Sequence, residues 1–318
     1  MSESDPIPAP EQPAENRPEP AADQAPHPSP PRIRKSIREG VWTRVVAIAN
    51  QKGGVGKTTT VINLAACLAE RGQNVLVIDL DPQCNATSGL GVEPTPGRSL
   101  YPVLVGDAPV MDRIQETRIK GIHVIPSELD LAGAEVDIAR MDGYLHCFSR
   151  ALQNLLATVR YDFILVDCPP SLGILTMNAL TAAHAVLIPM QCEYYALEGL
   201  SVITSMVRKL HDSKANPDLE IEGIVMTMFD TRTRLAVDVV EEVRKHFPEL
   251  VYQTVIPRNV RISEAPSFGL PVIVHDTGSA GAVAYRSFAR EFLKRAEARR
   301  MTPVPAPSTP TPNLEPPT

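Results

Sequence analysis

Apolar residues in this chain fall into two patterns. Some form short unbroken runs rich in β-branched side chains: Val45–Ala49, Val75–Ile78, Ile122–Ile125, Phe163–Val166, Ala185–Ile188 and Ile224–Met228. Runs of that length and composition predict strands buried on both faces. Elsewhere apolar residues return every three or four positions, as at Leu145, Phe148, Leu152, Leu155, Leu156 and Val159. That spacing predicts helices over 61–69, 145–159, 196–210, 238–247 and 282–295, with shorter helical pieces over 99–105 and 110–115. Arg71-Gly72-Gln73-Asn74 reads as a helix stop and turn, Cys84 to Gly91 as a polar, mobile stretch, and Arg258 to Pro266 as a loop. Strands alternating with helices, without an internal repeat, predict an α/β fold: a doubly wound, mostly parallel sheet flanked by helices.

The stretch between the first strand and the first helix carries the chemistry. It reads Asn50-Gln51-Lys52-Gly53-Gly54-Val55-Gly56-Lys57-Thr58-Thr59-Thr60. Strand, glycine loop and helix are the setting of a phosphate-binding loop: the glycines let backbone N–H groups converge on one anion, and the helix N-terminus adds partial positive charge. Lys57 can reach the β- and γ-phosphates, and the Thr58 hydroxyl suits Mg²⁺. The strict G-x-x-x-x-G-K-[ST] pattern fails, because Gln51 stands where its first glycine belongs. A second lysine, Lys52, opens the loop instead. Two further strands end in acids, Asp79-Leu80-Asp81-Pro82 and Asp167-Cys168-Pro169-Pro170. A carboxylate at the C-terminal end of a parallel strand faces the ligand edge of the sheet. Asp167 is placed to orient Mg²⁺, and either Asp79 or Asp81 to orient an attacking water.

Composition separates a core from its ends. Of 318 residues 43% are hydrophobic, enough for one large α/β domain, and the 31 prolines crowd at the termini. Residues 1–43 are expected to be a disordered, proline-rich acidic tail followed by a basic linker (Arg32 to Arg38), residues 44–297 the folded domain, and 298–318 a second disordered tail. No apolar run is long enough to span a bilayer, and the acidic N-terminus lacks a signal-peptide layout. The five cysteines, without a Cys-x-x-Cys pair, are expected to be reduced thiols in a cytosol. The seven histidines form no ligand cluster. A net charge of −6 argues against a uniformly basic surface while allowing a local basic patch.

Lys52-Gly-Gly-Val-Gly-Lys57-Thr58 resembles the deviant Walker A loop of the ParA/MinD superfamily of P-loop ATPases. With Asp79-Leu-Asp-Pro-Gln83, Met226 to Thr233 and Val255 to Gly269, the likeness is to the ParA/Soj chromosome-partitioning family, over about residues 44 to 293. The resemblance implies a Mg²⁺-dependent ATPase. Lys52, Gly53, Gly54, Val55, Gly56, Lys57, Thr58 and Thr59 would bind the nucleotide, with Pro257, Arg258 and Asn259 as a base-contacting loop. Lys52, Lys57 and Asp81 would be the catalytic set, and Thr58, Asp81 and Asp167 the metal set. It implies a homodimer formed on ATP, in which Lys52 crosses to the partner's nucleotide and Gly53 must stay small. It implies non-specific binding of double-stranded DNA through Arg232 and Arg261, a ParB/Spo0J-type centromere-binding partner that stimulates hydrolysis, no membrane partner, and a cytoplasmic, nucleoid-associated location. Taken on their residues alone, both arginines read instead as members of surface ion pairs with Asp230 or Glu264. Cys84 departs from the family, many of whose members carry Gly there. The alternative is a MinD-like positioning ATPase acting at a membrane surface, which the proline-rich C-terminus does not suit. An iron–sulfur carrier would need paired interface thiolates, and a non-hydrolysing scaffold would not need Asp81 and Asp167 together with Lys57.

Overall fold

The computed structural model describes residues 43–158, 160–193 and 196–301; the expectations for both proline-rich ends and the basic linker lie outside the described residues. Seven strands form one sheet: β1 (Arg44–Ile48), β2 (Val75–Asp79), β3 (Gln115–Glu116), β4 (Ile122–Ile125), β5 (Phe163–Asp167), β6 (Ala185–Gln191) and β7 (Glu220–Thr227). Their spatial order is β3-β4-β2-β5-β1-β6-β7. Every pairing is parallel except that of the short edge strand β3 with β4. The predicted doubly wound α/β sheet is therefore present, with β1 between β5 and β6, so that its C-terminal end opens mid-sheet.

Helices cover both faces, which is why the strands are continuously apolar rather than alternating. One face packs under Lys57–Ala69 and the final helix Ala280–Met301, through Leu64, Leu68, Tyr285, Phe288 and Phe292. The other packs under Leu131–Ala139, Cys147–Thr158, Ile174–Ala182, Ala196–Asp212 and Arg234–His246. Two of these, Leu131–Ala139 and Ile174–Ala182, were not expected. The second is buried on nearly all sides, from Leu175 to Ala182, and so has no polar stripe to mark a helical period. Two irregular stretches also gain structure: Asn85–Gly89 forms a short helix in the polar segment and Val260–Glu264 forms one in the expected loop, while the helical piece expected over 110–115 is a 3₁₀ turn, Val110–Arg113, followed by β3.

The N-terminal ends of the strands close on a buried charge cluster. The β6–β7 register slips between Val186 and Leu187, which makes Glu222 an extra residue in β7. Gly223 takes φ +154°, where an added Cβ would lie 2.7 Å from the Leu250 carbonyl oxygen. Glu222, fully buried, accepts from Arg44 Nε at 2.9 Å, from the Tyr252 hydroxyl at 3.2 Å, and pairs with Arg299 of the final helix at 2.5 Å. Arg295 lies with its guanidinium 4.0 Å from the Tyr252 ring centre. The first strand, β7 and the last helix are thus joined at the pole opposite the strands' C-terminal ends.

Candidate functional site

At the C-terminal ends of the strands, β1 passes into the glycine loop. Gly54 at φ +73° and Gly56 at φ +89° occupy backbone conformations that side chains with a Cβ rarely adopt. Gly56 is the N-cap of Lys57–Ala69 and supplies no side chain, so the first-turn N–H groups stay available to an anion. Val55 is the buried member of the loop; its carbonyl accepts the Thr227 hydroxyl at 2.8 Å, tying the loop to the end of β7. Asn50 fixes the entry, donating to the Pro189 carbonyl at 2.8 Å and accepting from Lys52 N–H at 3.0 Å.

Lys57 is 7% exposed and donates through Nζ to the Lys52 carbonyl at 3.2 Å. Burial lowers its pKa, while Asp167, Cys168 and Asp81 work to keep it charged. Asp79 and Asp167 end β2 and β5 as register partners, both completely buried. Burial pushes the Asp79 carboxyl up to about 6 against hydrogen bonds from Thr87 and Asp81 that favour its ionised form. Asp167 is pushed well above the carboxylate range by burial and then by the charge of Asp79; the Thr58 hydroxyl and Lys57 pull the other way. Neither oxygen of Asp167 has a hydrogen-bond partner. A buried, unsatisfied carboxylate approached by a hydroxyl and an ammonium is an arrangement that a cation carried in on phosphates would complete. No group of three or more His, Cys, Asp or Glu suited to a metal exists among the described residues.

A cavity of about 670 Å³ opens over this floor. Of the residues predicted from sequence, it gathers Gly53, Gly54, Gly56, Lys57, Thr58, Thr59 and Asp81. It adds Gln83, Asn85, Ser88 and Gly89 from the segment after Asp81, and Pro170, Met228, Pro266 and Ser267 from three other loops. The polar run after Asp81 was visible in the sequence as a switch-like segment; Met228, at φ +52°, carried no signal. Pro257, Arg258 and Asn259 do not line the cavity. Pro257 bridges to Phe229, and Asn259 caps Val260–Glu264 by accepting Arg261 N–H at 3.0 Å. Lys52 lies to one side, lining a smaller cavity of about 270 Å³ with Asn50, Gln191 and Gly199, and its ammonium pairs with Glu193.

Arg232 and Arg261 stand on neighbouring segments, because the Phe229–Pro257 bridge sets loop 229–233 beside loop 257–261. Both are paired. Arg232, 83% exposed, grips Asp230 with two bonds of 2.9 and 2.7 Å, which hold the Asp230 carboxyl down to about 2. Arg261 reaches Glu264 at 2.9 Å and Asp276 at 3.2 Å. The surface ion pairs that the residues alone allowed are therefore formed. An exposed pair of this kind is screened by water and salt, and is a small barrier to exchange for another anion. All five cysteines are free and buried. No helix among the described residues is long and apolar enough to cross a membrane.

Residues 43–221 match a family model described as an AAA domain. The sporulation initiation inhibitor protein Soj of Bacillus subtilis is 53% identical over 249 residues, 78% of this chain and 97% of that protein. The chromosome partitioning protein ParA of Caulobacter vibrioides is 50% identical over 258 residues, covering 81% and 96% of the two chains. Among solved structures, cobyrinic acid a,c-diamide synthase from Mycobacterium smegmatis, with bound ADP and magnesium, has a TM-score of 0.70 at 38% identity, covering 83% of this chain and all of that one. A likeness near half of all positions, along almost the whole length of Soj and ParA and on a doubled-lysine loop above two strand-end acids, places this chain in the ParA/Soj family of chromosome-partitioning P-loop ATPases.

Proposed function

We propose that this chain is a DNA-segregation ATPase whose ATP-bound form pairs with a second copy and holds double-stranded DNA without regard to sequence. The observation that carries this reading is the buried Lys57 ammonium under the glycine loop, set against the side-by-side Asp79 and Asp167 carboxylates. The likeness to Soj and ParA supports it.

In this reading the loop N–H groups and Lys57 hold the phosphates of ATP. Mg²⁺, held by the Thr58 hydroxyl with Asp167 and Asp81, would neutralise charge on the phosphates during transfer. Asp81 has Oδ1 fixed by the Gln83 N–H at 3.0 Å, which leaves Oδ2 to orient the attacking water. Gly53 and Gly54 keep the cavity mouth narrow in profile, so that a second loop can approach. Lys52 must leave Glu193 to reach the other copy's nucleotide, so pairing exchanges one ion pair for another rather than creating charge contacts from nothing. Pro257, Arg258 and Asn259, which stand outside the cavity lining, would contact the base where it projects beyond the cavity. Arg232 and Arg261 exchange their acidic partners for DNA phosphates, and two-fold pairing doubles the patch. A ParB/Spo0J-type protein stimulates hydrolysis and so releases the pair. The protein works in the cytoplasm, on the nucleoid.

DNA binding measured with ATP, with ADP and without nucleotide tests the reading. Retention is expected with ATP alone, weakening steeply with salt. The variant carrying Arg232→Glu and Arg261→Glu together should pair on ATP yet lose DNA. Equal binding in all three nucleotide states, or full affinity in the double variant at the same salt, would reject it.

A further inference from the structure

We infer that Thr87 is a positioning residue for hydrolysis, the link through which the segment after Asp81 is held against the ends of two strands. The inference rests on the reading of Asp81 as the water-orienting carboxylate and deepens it.

Thr87 sits in the middle of Asn85–Gly89 and is completely buried, although that helix lines an open cavity with Asn85, Ser88 and Gly89. Its N–H and its hydroxyl both donate to Asp79 Oδ2, at 2.8 and 2.7 Å. The same hydroxyl oxygen accepts the Ser127 N–H at 2.9 Å, just beyond β4. Its single proton is therefore committed to Asp79, and an oxygen lone pair to Ser127. The other Asp79 oxygen, Oδ1, accepts the Asp81 N–H at 3.1 Å. The path runs Ser127, Thr87, Asp79, Asp81, and every link is made with buried or nearly buried groups.

The connection between its two ends is short and tightly folded. Cys84 donates its N–H to the Asp81 carbonyl at 2.9 Å and stands at φ +58°, a left-handed conformation unusual for a residue with a Cβ. Gln83 N–H holds Asp81 Oδ1. With one end of the segment fixed by Asp79 to the Asp81 backbone and the other by Asp79 to Thr87, the carboxylate of Asp81 has few directions open to it. A threonine in a core position would need only its methyl group for packing. Here the hydroxyl makes two bonds, and both go to the frame that aims Asp81. Displacement of a catalytic group by about 1 Å can cost two orders of magnitude in rate, so loosening this frame should slow the chemical step and leave nucleotide binding nearly untouched.

Steady-state ATPase kinetics and nucleotide affinity of Thr87→Val, Thr87→Ala, Thr87→Ser and Asp81→Ala test the inference. Thr87→Val keeps the shape and removes the hydroxyl. Its kcat is expected to fall about tenfold or more, with KM and ATP affinity changed by less than about twofold, and Thr87→Ser should recover most of the loss. Thr87→Ala gives the same comparison if the valine variant does not fold. Wild-type turnover in Thr87→Val or Thr87→Ala beside an inactive Asp81→Ala would overturn the role of Thr87 alone. Equal losses of kcat and ATP affinity, or no recovery in Thr87→Ser, would also overturn it, since a purely structural threonine behaves that way. Undiminished hydrolysis by Asp81→Ala would instead overturn the reading of Asp81, and this inference with it.

Discussion

An added Cβ on Gly53 would meet no heavy atom within 4 Å, and Gly53 is not held at positive φ. Nothing inside one chain therefore requires glycine there, in contrast to Gly54 and Gly56. If the position must stay small, the reason lies in another molecule. Gly53→Val is expected to bind ATP within about threefold of the parent chain and to remain a single chain where the parent pairs; affinity measurement alongside light scattering checks both. The loop residues and strand-end acids were legible in the sequence because phosphate chemistry constrains residue type and spacing at once. Met228 and Pro266 were not, because neither carries a functional group that phosphate chemistry selects. Thr87 was legible only as part of a polar run; its role needed Asp79 and Ser127 to be seen around it.

At the scale of the element, the apolar runs located all six long strands, since burial on both faces leaves an unmistakable signature. Helices were found where a long apolar stripe met the core, and missed at Ile174–Ala182, which has no polar face, and at Leu131–Ala139, which only Leu131, Ala134 and Ile138 anchor. The tie between β7 and the final helix was equally invisible, because it depends on a bulge that turns Glu222 inward. Glu222 is surrounded by Arg44, Arg299 and the Tyr252 hydroxyl, with Arg295 over the tyrosine ring. Glu222→Ala would leave Arg44 and Arg299 with only the partly exposed Glu220 between them, at a cost of about 3 kcal/mol. Chemical denaturation should report a loss of that size, with nucleotide affinity retained because the cluster is at the far pole.

For the whole molecule, the stacked acids make stability depend on pH in an unusual direction. The Asp79 carboxyl titrates at about 6 in the fold, against about 3.9 in an open chain. Between those values the folded chain binds more protons than the unfolded one, so stability rises as pH falls from about 7 toward 4. Asp167 acts in the same sense. Asp230, depressed to about 2, contributes in the opposite sense, and its share is lost only below about pH 4. The nucleotide-free protein is expected to melt about 3 °C higher near pH 5.5 than near pH 7.5 relative to Asp79→Asn, read by calorimetry at constant ionic strength.

Arg44 at the start of the first strand and Arg299 near the end of the last helix share two carboxylates of β7, Glu220 and Glu222. The folded domain thus receives and releases its chain at almost one point, on the side turned away from the phosphates. In the proposed face-to-face pair those points would lie away from the seam. A fluorescent label fused at either end of the domain would then ride clear of the seam.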